Sequence, residues 1–93
     1  MEDIDKNIGE ILKVFDNAMN DKEKFYHILE QIEKHVVKLR KLKEKEDRPG
    51  HFNTEVADML LLGKALFELE NINDETLSSA SKCFLEKIKE IYG

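Results

Sequence analysis

The 93-residue chain has no tryptophan, one cysteine, one proline and four glycines. Each scarcity excludes something. Cys83 stands alone, so no internal disulfide can form, and a reducing cytoplasm is the expected compartment. Few prolines and glycines leave few places for the backbone to turn. With 41% hydrophobic and 38% charged residues, the composition fits one helix-rich domain, not a disordered tail. Long apolar runs are missing too: the longest, Met59 to Leu62, falls far short of the roughly 20 residues a bilayer requires. The start does not resemble a signal peptide, so no membrane partner is expected. Positive charge is the minority sign, with 15 Lys and Arg against 20 Asp and Glu and a net charge of −5. That balance argues against nucleic acid as a partner. The basic segment from Lys34 to Arg48 reads as a solvated helix end whose cations suit the helix dipole.

What is present is helical periodicity. The pattern predicts an all-α fold of four amphipathic helices, over about 3–19, 22–45, 54–69 and 74–92, in a single domain spanning 1–93. Ile4, Ile8, Ile11 and Phe15 make one face of the first helix, and Phe25, Leu29, Ile32, Val36 and Leu39 form the stripe of the second. Asn17, Asn20 and Asp21 separate these two, with a cap for the second among them. The segment EDRPGHFN, 46–53, reads as a loop because Pro49 and Gly50 interrupt any helix, and Asn53 or Thr54 can cap the third helix. ENIND breaks the chain again, with Asn73 or Asp74 as the last cap, and Leu77, Ala80, Phe84, Ile88 and Ile91 recur at helical spacing beyond it. There is no internal repeat and no alternation of strand type.

The third helix is apolar nearly all round, from Val56 through Leu69. A helix of that kind is buried from more than one side. Four short helices cannot easily surround one of their own members, so a homo-oligomer with this helix near the interface is expected.

Two acids interrupt that apolar helix. At about 100° per residue, with Val56 at zero, Glu55 falls near 260° and Asp58 near 200°, among Leu62, Leu66 and Leu69. On the second helix, with Leu29 at zero, Glu33 falls near about 40° and Glu30 near about 100°, beside Tyr26 and Val37. Both helices therefore carry an acid pair at i, i+3. Buried unpaired carboxylates cost several kcal/mol each. A divalent cation, basic side chains, or exposure at a helix end could compensate. Arg40 and Arg48 are the only arginines, with Arg40 near Glu33 on the wheel. A hard cation such as Mg²⁺ takes oxygen ligands and keeps waters that a phosphate can replace.

In ILEQIEKHVVKLRKL and EVADMLLLGKALFELENIND the chain resembles the all-α nucleoside triphosphate pyrophosphohydrolases of the MazG type. The family signature, E-x-x-E, a variable spacer and E-x-x-D, is matched by Glu30, Glu33, Glu55 and Asp58. NIND stands where the family has a short G-I-D-like turn before its last helix. The resemblance covers about Phe25 to Lys89. It implies that Glu30, Glu33, Glu55 and Asp58 bind Mg²⁺, or Mn²⁺ in its place, and that a nucleoside triphosphate is cleaved to monophosphate and pyrophosphate. It also implies dimers, or tetramers made of dimers. Lys82 is nearest to the family's basic substrate contact. Gln31 replaces a Glu found in many members, Lys34 stands where an apolar residue is usual, and the last helix has no Asn past its cap.

Other residues read more plainly. His27, His35 and His51 lack the E-x-x-H spacing of di-iron bundles. His27 is expected as a partly exposed helix histidine, Cys83 as a buried structural thiol beside Phe84, and Gly63 as a point of close helix packing. Ser78, Ser79 and Ser81 suit the opening turns of a helix. The competing functional class is a non-catalytic helical protein that oligomerises or serves as an adaptor, and such a protein should not respond to Mg²⁺. The first helix resembles that of the all-α chorismate mutases in outline, but it lacks the arginines that bind a dicarboxylate.

Overall fold

The computed structural model describes residues 2–45 and 50–93. They form four α-helices: α1 (Glu2–Asp16), α2 (Asp21–Lys43), α3 (Phe52–Leu69) and α4 (Asp74–Tyr92). Among the described residues there is no strand, and no helix is long and apolar enough to cross a membrane.

Local chemistry sets most of the boundaries. α1 ends at Asp16, three residues earlier than the periodicity suggests, where backbone bonds of Asn17, Ala18 and Met19 tighten the chain into a turn. Asn20 then opens α2 with a capping box. Its side-chain oxygen accepts from the Glu23 N–H at 2.9 Å, and its own N–H donates to the Glu23 carboxylate at 3.2 Å. α3 starts at Phe52, ahead of the expected caps Asn53 and Thr54; His51 occupies the cap position without a side-chain bond. Residues 46–49 of the predicted loop, Arg48 and Pro49 included, lie outside the described residues.

The α3–α4 connection is the most completely specified. Ile72 N–H donates to the Phe67 carbonyl at 3.2 Å and Asn71 N–H to the Glu68 carbonyl at 3.1 Å, with Asn71 left-handed at φ 54°. This is a Schellman stop, in which Asn fills the position that usually takes glycine. Asn73 comes next as the cap of α4, accepting from the N–H and hydroxyl of Thr76 at 2.9 and 3.0 Å.

The core lies where α1, α2 and α3 meet. Ile8 (0% exposed), Ile28 (1%) and Ala65 are its buried centre, with Ile4, Leu12, Phe15, Leu62 and Leu66 packed around them. Leu12 takes the place on the inner face that the sequence pattern gave to Ile11, which is exposed. Lys24 is also buried; its ammonium pairs with Asp16 and, at 2.8 Å, with Asp21. Those bonds raise the Lys24 pKa against the opposing effect of burial, and they tie the end of α1 to the start of α2. Asp5 and Lys64, 3.5 Å apart, link α1 to α3.

α4 packs against none of the other three helices. Every residue after Leu69 is exposed. Cys83 is therefore an exposed thiol, not the buried one its neighbours suggested. The radius of gyration, 15.7 Å, exceeds the roughly 12 Å of a compact chain this long. Gly63 is exposed as well, and a methyl group built there would meet nothing within 4 Å, so it does not serve close helix packing.

Candidate metal centre

The inward face of α3 is the one that carries Glu55 and Asp58. The Glu55 side chain is 12% exposed and that of Asp58 39%, and Asp58 shares a 180 Å³ cavity with Leu61, Leu62 and Ala65. What they meet there are bases on α2. The Lys38 ammonium donates to Glu55 Oε1 at 2.7 Å. His35 Nε2 lies 3.3 Å from Glu55 Oε2 and 3.5 Å from an Asp58 oxygen.

The His35 ring is held from behind. Its Nδ1 lies 2.7 Å from the Gln31 carbonyl; a carbonyl can only accept, so Nδ1 carries the proton. In its neutral form the ring presents its Nε2 lone pair toward the two carboxylates, which is how protein histidines are set up to ligate metals. Among the described residues, buried Glu55 Oε2 makes no hydrogen bond; His35 stands within ion-pair distance of it but off hydrogen-bonding geometry. Together, Nε2 and one oxygen from each acid lie within 4.8 Å of one another. One nitrogen and two carboxylate oxygens suit a divalent cation. The Lys38 bond lowers the Glu55 pKa below its ordinary value, against burial, which acts the other way.

Glu30 and Glu33 are not members of this group. Glu30 is exposed and pairs with Lys34 at 3.3 Å, and Glu33 lines an open groove with Ile32, Val36, Val37 and Arg40. The reason is rotational. The buried residues of α2 are Lys24, Ile28 and Leu42, a face turned by about 90° from the predicted stripe and roughly 160° from the acid pair. Lys82, on exposed α4, makes no ion pair with any of the four acids among the described residues.

Sequence reasoning placed Glu55 and Asp58 correctly among the leucines but missed their partners. Lys38 and His35 fall near about 180° and 240° on the α2 wheel, beside Ile28 and Leu42, and that grouping was there to be read. His27 is edge-on to Phe15, with ring centroids 5.3 Å apart, and is a packing residue. Comparison with family models, curated proteins and solved structures gives no match.

Proposed function

We propose that the chain is a divalent-cation-dependent nucleotide pyrophosphohydrolase, cleaving a nucleoside triphosphate to monophosphate and pyrophosphate. The observation that carries this reading is the pair Glu55 and Asp58, aimed inward at His35, whose Nε2 is left available by the Nδ1 bond to Gln31. The motif resemblance of Glu30, Glu33, Glu55 and Asp58 supplies the substrate class. A bound Mg²⁺ or Mn²⁺ would supply positive charge to the phosphates and acidify a water. Glu55 and Asp58 would hold that cation with His35, and Lys38, displaced from Glu55 Oε1, would be free to meet phosphate charge. The complete four-acid set would require α2 to turn so that Glu30 and Glu33 face α3, and Lys82 would contact substrate only if α4 closed over the site.

A thermal melt with and without millimolar Mn²⁺ or Mg²⁺ tests the reading. A cation that binds the folded chain raises the melting temperature by mass action. Wild type should gain stability, whereas Asp58→Asn and His35→Gln should gain little, and nucleotide hydrolysis should follow the same ranking. If Glu30→Gln and Glu33→Gln abolish the gain as well, the four acids act together. If they leave it intact, the site is centred on His35. No response to either metal in wild type would sink the enzymatic reading.

The second reading, a non-catalytic helical assembly protein, is favoured by two observations. Lys38 already satisfies Glu55 Oε1, and α4 offers an uncovered apolar face. Such a protein would show no metal response.

A further inference from the structure

α4 keeps its apolar residues on one side, and that side is bare. At about 100° per residue, with Leu77 at zero, Phe84, Ile88 and Ile91 fall within about 40° of it, and Tyr92 and Leu85 within about 80°. Phe84 is 66% exposed and Tyr92 80%. At the exposures these six residues show, with about 150–250 Å² for a full-sized aromatic side chain and roughly 100 Å² for Leu or Ile, they leave on the order of 500 Å² to water. That matches the largest apolar patch on a typical monomer, about 300–600 Å², and such patches are often functional.

A second open surface lies on α2. Exposed Val37 lines it together with half-buried Ile32 and Val36, beside Glu33, Arg40, Lys41 and Glu44. From Ile32 to Glu44 it runs about 18 Å, and the α4 stripe from Leu77 to Ile91 about 21 Å, at about 1.5 Å per residue. Lys87 borders the stripe at about 280°, in position to meet one of the groove's acids.

The two surfaces do not meet within one chain. The Schellman stop at Asn71 and the cap at Asn73 fix how α4 leaves α3 through local hydrogen bonds alone, and that exit carries α4 away from α2. We infer that α4 of one copy docks into the α2 groove of a second copy, and that the exchange is mutual. A two-fold exchange uses each stripe and each groove once. Its two equivalent contacts bury enough surface to reach the roughly 1,200–2,000 Å² of a stable interface. The inference does not depend on the metal site and places the contact on α4 and α2, not on α3.

Light scattering and sedimentation equilibrium of the full chain, across a wide concentration range and without metal or nucleotide, test it. Wild type should run at twice the chain mass. Phe84→Asp with Ile88→Asp should run at the single mass, as should Val37→Asp, each with helicity unchanged because the altered residues are exposed. Mixing those two variants should recover partial association, since one donor helix and one groove remain intact. Wild type at the single mass throughout would overturn the inference. So would a doubled mass that both variants leave intact, or one lost with the α4 variant and kept with Val37→Asp.

Discussion

Glu55 owes its inward position to the pattern of α3 and its tolerance there to two residues of α2. The Lys38 bond holds its carboxyl below the ordinary value of 4.5, so the folded state releases the proton more readily than the unfolded chain. Its contribution to stability is therefore present above about pH 4.5 and is lost as the pH falls through the lower, folded-state pKa. Urea titrations between neutral and acid pH should show wild type losing more stability in that range than Glu55→Gln, whose amide does not titrate. An equal loss in both would remove Glu55 from the account. Asn71 is the other residue with a specific conformational task. Because it sits at φ 54°, Asn71→Gly should be neutral or slightly stabilising, and Asn71→Ala should cost about 1 kcal/mol in a denaturant melt.

At the level of elements, the deciding event is which face α2 turns toward α3. α2 has apolar residues around much of its circumference, so hydrophobicity alone leaves the choice open. Facing Glu30 and Glu33 to Glu55 and Asp58 would put four like charges together, whereas facing Lys38 to Glu55 supplies a cation at 2.7 Å and leaves Asp58 partly exposed beside His35. In a cation-free chain the second arrangement avoids the cost of burying unpaired carboxylates. The capping box of α2 and the glycine of α3 give independent checks. Asn20→Ala should destabilise by about 1 kcal/mol. Gly63 lies in an exposed helix interior with open space around it, so Gly63→Ala should stabilise by roughly 0.5–1 kcal/mol in thermal melts. A loss instead would indicate that α3 packs against another molecule at Gly63, as the all-round apolar pattern first suggested.

For the molecule as a whole, the core is a three-helix affair and α4 contributes nothing to it. Ile28→Ala should cost about 2–5 kcal/mol, the range for emptying a buried aliphatic site, and should melt α1, α2 and α3 together. Hydrogen exchange should separate the parts. In dilute solution the amides of α4 should exchange faster than those around Ile28, and they should gain protection as concentration rises if copies associate through that helix. The melting temperature should rise with concentration for the same reason. Slow exchange of α4 at every dilution would mean that it packs within its own chain.

The sequence by itself determined the helices, the turns and the inward aim of Glu55 and Asp58, because periodicity, caps and stop signals act over a few residues. The stop at ENIND was legible as a break with Asn73 or Asp74 as the cap, and the structure settles on Asn73 and adds the left-handed Asn71. Only the tertiary structure decided which bases meet the acids, that Glu30 and Glu33 lie on the far side of α2, and that Cys83 and Gly63 face solvent. Those outcomes depend on the rotation of one helix about its axis and on the direction of another as it leaves a turn. Residues far apart in the chain settle the rotation through burial and charge pairing, and no local pattern records that balance.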